Sequence, residues 1–219
     1  MITNPNILLV EGESDRSFFK ELHKMLHISV DVVEVVTPKD IGHFRNGKSC
    51  LYKKLHDLLP QINDGTIEHL GIVVDADHSF NETLKEVSDI LNPIDYIYSS
   101  DRRLFAHEDG LPDIGLWIMP NNQHNGMLED WIKTCLHPNE KTLFQHVQQS
   151  IDTIPNGAKF KELHRAKAEI ATWLAWQKNP DHGLYYAVNP ELLNTESESF
   201  QELKQWLQHL FPTASTTPA

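Results

Sequence analysis

Ile7-Leu8-Leu9-Val10-Glu11-Gly12-Glu13-Ser14-Asp15 is the stretch from which the fold can be read. Four apolar residues lead into a carboxylate, a glycine and, at Asp15, another carboxylate four residues after Glu11. An apolar run of this length, bounded by Gly and polar residues, predicts a strand buried on both faces. Ser14-Asp15-Arg16-Ser17-Phe18-Phe19 then opens a helical pattern, with Ser14 as the expected N-cap. Glu11 therefore falls at the carboxyl end of a strand, where open α/β sheets form their ligand crevice. Asp15, about one helical turn in, can point back at the same place. A carboxylate after a fully apolar strand is costly unless something there requires it.

Leu70-Gly71-Ile72-Val73-Val74-Asp75-Ala76-Asp77 repeats the arrangement. Two acids at i and i+2 of an extended segment face the same side. If both strands lie in one parallel sheet, Glu11, Asp75 and Asp77 meet at one edge. Carboxylates so close repel one another unless one is protonated or a cation joins them, and hard divalent ions prefer all-oxygen ligands. Mg²⁺, or Mn²⁺, is the cation this donor set predicts.

At these residues the chain resembles the TOPRIM domain, in which a strand ending in Glu-Gly is joined to a later strand ending in Asp-x-Asp. The resemblance covers roughly residues 5 to 125. The spacing from Glu11 to Asp15 is similar to that of the OLD-family and related small nucleases. The resemblance implies that Glu11, Asp75 and Asp77 are catalytic and that Asp15 joins them in holding metal. Many members carry a further acid two residues after the second Asp; here that position is Ser79. Small TOPRIM proteins often have Gly-x-Leu-Glu after the fourth strand, and Gly126-Met127-Leu128-Glu129 is similar. Glu129, ahead of its neighbour Asp130, is the candidate to replace the missing acid. The plain alternative is that both acids merely favour the first turn of a helix.

The alternation along the chain predicts an α/β fold: a TOPRIM-like parallel sheet flanked by helices over residues 1–125, a helical C-terminal extension over 126–210 packed on it, and a disordered tail over 211–219. The expected strands are 7–10, 30–36, 70–75 and 113–120, with an added edge strand at Tyr96-Ile97-Tyr98. The expected helices are 14–27, 48–59, 79–91, 126–136, 139–150, 159–177 and 197–210. Trp173 and Trp176 read as core residues.

Composition bounds the function. The chain has 219 residues, 40% of them apolar, and a net charge of −12, which argues against a strong sequence-independent grip on phosphate backbones. Nucleic acid remains the expected partner only through local basic patches, bound metal or a protein partner. Lys48, in one basic segment, and Lys159, Arg165 and Lys167, in another, are the candidate phosphate contacts, although solvated helix faces explain each segment as well. Cys50 and Cys135 fit no metal-type spacing and read as free thiols in a reducing compartment. Met1-Ile2-Thr3-Asn4 lacks the basic start of a signal peptide, and no apolar run reaches membrane-spanning length, so no membrane and a cytoplasmic location are expected.

The function these readings favour is divalent-metal-dependent phosphodiester chemistry on nucleic acid, most simply an endonuclease, DNA or RNA being left open. A second reading is a non-catalytic TOPRIM-like module that binds metal or nucleotide within a complex; Ser79 and the acidic balance favour it. A third is a P-loop nucleotide binder. Gly42-His43-Phe44-Arg45-Asn46-Gly47-Lys48-Ser49 fits the motif, but Thr37-Pro38-Lys39-Asp40-Ile41 separates it from the preceding strand, whereas a P-loop joins strand to helix directly.

Overall fold

The structure is a computed structural model that describes residues 4–34 and 47–213. Its elements in chain order are β1 (Asn6–Val10), α1 (Glu13–Met25), β2 (Asp31–Glu34), α2 (Gly47–Asn63), β3 (His69–Asp75), α3 (Phe80–Leu91), β4 (Tyr96–Ser99), β5 (Leu104–His107) and β6 (Ile114–Met119). The helices α4 (Leu128–Thr134), α5 (Lys141–Asp152), α6 (Arg165–Ala175) and α7 (Glu198–Leu210) follow. The six strands form one sheet in the order β2-β1-β3-β6-β5-β4. The first four are parallel, as the strand–helix alternation predicts, but β5 runs antiparallel to β6 and β4 antiparallel to β5. The sheet is therefore mixed rather than parallel. Only a short loop joins β4 to β5, and a short connection returns the chain antiparallel, whereas a parallel neighbour needs a long crossover.

Strand alternation divides the core in two. Leu8, Val10, Val73, Trp117 and Met119 face α1 and the C-terminal helices. Ile7, Leu9, Ile72, Val74, Leu116 and Ile118 face α2 and α3, which bring Leu51, Leu55 and Leu58 from one helix and Val87 and Leu91 from the other. The strands that carry the acids are thus buried on both sides, which is why they read as unbroken apolar runs rather than alternating ones. The C-terminal helices share one continuous core with α1 and the sheet. Among the described residues no helix is long and apolar enough to cross a membrane.

Several element ends differ from the sequence reading. Helix α1 starts at Glu13 with Gly12 as its N-cap, so Ser14 lies inside the first turn and does not cap it; Glu13 and Asp15 put negative charge at that amino end instead. Helix α2 continues through Pro60 to Asn63, with Ile62 of its last turn buried. Strand β2 is described only to Glu34, and the expected residues 35 and 36 lie outside the described residues. Trp173 is fully buried, but Trp176 is 43% exposed and lies beside the His146 ring, at 5.5 Å between ring centroids. Phe211, assigned to the tail, is buried in the core, and Thr213 pairs with Ile28 in an isolated β-bridge; residues 214–219 lie outside the described residues. Cys50 and Cys135 are buried free thiols.

Helix α7 lies on the sheet where two glycines meet. Gly71 of β3 and Gly115 of β6 are register partners, and both lie under Leu210. A β-carbon on Gly115 would come within 2.3 Å of a Leu210 methyl and 3.0 Å of the Trp206 ring. One on Gly71 would meet methyls of Leu210 and Leu8 at 2.9 Å each. A strand glycine normally gains stability on replacement by alanine, because the unfolded chain loses freedom; overpacking reverses the sign here. Gly115→Ala should destabilise by roughly 1–3 kcal/mol, seen as a lower urea midpoint at unchanged m-value. An unchanged or higher midpoint would mean that α7 does not rest on this pair.

Candidate functional site

Strand β1 ends at Val10 and strand β3 at Asp75, and the acids follow at one edge of the sheet. The first link between them is a backbone one. Glu11 Oε1 accepts a hydrogen bond from the Asp75 amide at 2.8 Å, and Asp75 Oδ1 accepts one from the Leu128 amide at 3.0 Å, at the start of α4. Two carboxylates thus connect β1, β3 and α4 in series. The loops beyond β3 and β6 are tied together as well. The Asp77 amide donates to the Gly126 carbonyl at 2.8 Å, the Phe80 amide to Asn125 Oδ1 at 2.9 Å, and Asn125 Nδ2 to the His78 carbonyl at 2.6 Å.

The chain leaves the extended conformation at Asp77, whose φ of 51° lies in the left-handed region. Asp75 and Asp77 consequently have different partners rather than facing one side together. Asp77 Oδ2 pairs with Lys48 Nζ at 2.9 Å, and the same ammonium donates to Thr83 Oγ1 at 3.1 Å and to the Ala76 carbonyl at 3.4 Å. Gly47 opens α2 close to Glu11; a β-carbon there would stand 3.1 Å from Glu11 Oε2. Glu11, Asp77 and Lys48 therefore form the α2 side of the site. Asp15, Asp75 and Glu129 form the other, beside Lys167 of α6, since these four groups act on one another electrostatically.

Four acids of the site, Glu11, Asp15, Asp75 and Glu129, resist ionisation. Burial raises the Glu11 carboxyl to about 7, with Asp15 and Asp77 adding to the rise and the Asp75 amide and Lys48 opposing it. Burial also raises Asp75 well above the usual carboxylate range, helped by Glu11, Asp15 and Glu129. Asp15 and Glu129 are raised by burial too, and Lys167 opposes both shifts. For Lys167 itself, partial burial pushes the pKa down, and Glu129, Asp75, Asp15 and Asp77 outweigh it so that the net shift is up. Lys167 is exposed, so water screens part of that attraction.

The donor set suits a hard divalent cation: half-buried carboxylates whose ionised forms lack enough compensating positive charge. Its present geometry is closed on amides and lysines, and among the described residues no three His, Cys, Asp or Glu side chains are gathered tightly enough to hold an ion. Glu11, Asp75, Asp15 and Glu129 are the residues that could take one.

The other candidates have defined places. Ser79 is the N-cap of α3 and accepts from the Glu82 amide at 3.2 Å, so this position, where the sequence resemblance expects an acid, starts a helix. Asp130 turns back on its own helix, accepting from the Met127 amide at 3.1 Å, which leaves Glu129 as the residue that faces Lys167. Arg165 pairs with Asp152 and with Glu169, at 2.8 Å to the latter, and Lys133 joins Glu169 at 2.8 Å. Lys159 is exposed and stands before α6. In the P-loop pattern residues 42–46 lie outside the described residues, and Lys48 is engaged by Asp77 and Thr83. Thr83 had no signal in the sequence; it reads as an ordinary polar residue of an amphipathic helix.

Proton linkage follows from Glu11. Its folded pKa of about 7 lies above the ordinary 4.5, so between those values the folded state binds more protons than the unfolded. Stability then falls as pH rises through that window. Glu11→Gln, which keeps an oxygen for the Asp75 amide, should flatten the fall and gain on the order of 2 kcal/mol at pH 8 without metal. Parallel profiles of Tm against pH for wild type and variant, from pH 4.5 to 8, would show that Glu11 is not the group responsible.

A comparison with curated proteins and one with solved structures gave no match. Residues 5–212 match the family described as "Protein of unknown function (DUF3226)", a span that runs from before β1 to beyond α7. Both sides of the acid site lie within it, and the chain belongs to that family.

Proposed function

We propose that this chain carries out divalent-metal-dependent hydrolysis of phosphodiester bonds in nucleic acid, from a TOPRIM-like α/β core. The observation that supports it is the gathering of Glu11, Asp15, Asp75 and Glu129 at one sheet edge with a lysine on either side. Acids that resist ionisation have reason to share a site when a cation balances them. Glu11, Asp75, Asp15 and Glu129 are the residues to hold Mg²⁺ or Mn²⁺, and Asp77 joins them if it exchanges Lys48 for the metal. The metal supplies an activated water and neutralises charge developing on the phosphate.

The protein's own groups have separate parts to play. Lys167, exposed at the mouth, meets a phosphate oxygen and offsets negative charge there. Glu11, which burial and the neighbouring acids raise to about 7 without a cation, would give up its proton on binding the metal. Asp130 serves its helix rather than the reaction. Arg165 is held in ion pairs and serves to place α6, whereas Lys48 balances Asp77 when no metal is bound.

A second reading has its own support. Each inner acid already has a backbone or lysine partner, and the net charge is −12. A non-catalytic module that binds metal or nucleotide within a complex fits those two facts.

Cleavage of plasmid DNA and of single-stranded RNA, in Mn²⁺ against EDTA, separates the two readings. Glu129→Gln should lower cleavage at least about 100-fold, the scale for losing a metal-positioning contact. Asp130→Asn, which keeps an oxygen for the Met127 amide, should leave the rate within a few-fold. Equal rates for wild type and Glu129→Gln would remove Glu129 from the site. A wild type that binds Mn²⁺ and cuts nothing would favour the binding module.

A further inference from the structure

Helix α6 carries a second feature on the face that holds Lys167. Lys167, Ile170, Ala171 and Leu174 follow helical spacing i, i+3, i+4 and i+7, so they form one stripe. The stripe is one wall of a cavity of about 290 Å³. Ile170 and Leu174 are buried, Leu184 is half-buried and Ala171 lies exposed at the rim. The polar end of the same cavity is formed by Ser14, Glu129 and Lys167. Two of these, Glu129 and Lys167, belong to the acid site, and Ser14 precedes Asp15. One slot therefore runs from the charged site onto an apolar floor, with Ile170 about 5 Å beyond Lys167 along the helix axis.

The lining also includes His182. Its ring is set by two tyrosines, with centroids 5.6 Å from Tyr185 and 4.9 Å from Tyr186, and its Nδ1 lies 3.1 Å from the Tyr185 hydroxyl. Its Nε2 is 3.9 Å from Asp181, beyond hydrogen-bond distance. The slot thus combines an apolar floor with an oriented imidazole and an ammonium in its lining. A ligand that matches it is flat and apolar on its faces, polar at its edge, and joined to an anionic group by a short spacer. A nucleotide has that form: base, sugar and phosphate. The volume, at the small end for ligand pockets, suits one base rather than a larger group.

We propose that this slot receives the nucleobase next to the phosphate held at Lys167. The inference rests on the phosphodiester reading above and adds that the substrate is gripped by a base as well as by its backbone. It gives an acidic protein a source of affinity that does not depend on phosphate charge, since burial of the base against Ile170, Leu174 and Leu184 supplies it.

The test is calorimetric binding of adenosine 5′-monophosphate and cytidine 5′-monophosphate, with ribose 5-phosphate as the baseless control, to the full chain in Mn²⁺. The same titrations are made with Ala171→Trp, which fills the slot from an exposed position, and with Leu184→Ala, which widens it. Wild type should bind at least one nucleoside monophosphate roughly 10-fold or more tightly than ribose 5-phosphate. Ala171→Trp should abolish that preference and leave ribose 5-phosphate binding unchanged, and Leu184→Ala should reduce it. Equal binding of all three compounds, no binding of any, or a preference that survives Ala171→Trp would overturn the slot. Cleavage measured on the same preparations keeps the two ideas apart. Cleavage that persists without base preference defeats the slot alone, and base preference without cleavage defeats the hydrolytic reading alone.

Discussion

Two hydrogen bonds from backbone amides to carboxylates hold the site together: Asp75 N–H to Glu11 and Leu128 N–H to Asp75. The first joins residues 64 apart in sequence and the second residues 53 apart. Each uses a backbone donor that would otherwise be orphaned, one at the end of a strand and one in the first turn of a helix. Each also gives a half-buried carboxylate a partner in place of water. These bonds do not complete the compensation, because burial and the neighbouring acids still hold Glu11 and Asp75 above their ordinary pKa values. The edge of the sheet is consequently well ordered and electrostatically unsatisfied together, a combination that structural ion pairs do not need and that a cation would relieve.

The two lysines offset the acids differently. Lys48 is largely enclosed, its side chain 13% exposed, and it makes fixed contacts to Asp77, Thr83 and the Ala76 carbonyl. Lys167 is exposed and acts on Glu129, Asp75 and Asp15 through space. A fixed ammonium on one side and an exposed one on the other give the site a closed side and an open side. Only the open side adjoins the apolar slot, so a ligand that used both would have to lie along α6.

Much of this was legible in the sequence, and the limits have physical causes. Unbroken apolar runs at β1, β3 and β6 identified the inner strands, because burial on both faces removes the polar alternation. The acids at the ends of β1 and β3 followed directly. The hairpin of β4 and β5 was only half seen: each strand is four residues long, and a run that short gives little periodicity. The i, i+2 argument for Asp75 and Asp77 assumed an extended chain, and the left-handed turn at Asp77 breaks that assumption. Trp176 and Phe211 were misjudged in opposite directions, since helical spacing and a tail-like composition say nothing about which residues a neighbouring helix covers. Lys167 was picked out for charge; that it stands beside the acids depends on how α6 crosses the sheet.

That crossing is fixed by a buried acid. Glu169, 1% exposed, lies two residues after Lys167 and is paired with Lys133 of α4 and Arg165 of its own helix, which also reaches Asp152 of α5. A charge this deeply buried is tolerated only with such partners, and removing them would leave it uncompensated. The network therefore sets α6 against α4, the helix whose first turn carries Glu129 and the Leu128 amide. Helix α7 holds the same layer down from the other end, through the glycine pair that lets it approach the sheet. The C-terminal helices are thus more than an appendage to an α/β core. They bring Glu129, Lys167 and the apolar slot to acids that β1 and β3 place; the first 125 residues supply Glu11, Asp15, Asp75, Asp77 and Lys48, and without Lys167 the acids Asp15 and Asp75 lose the ammonium that offsets them.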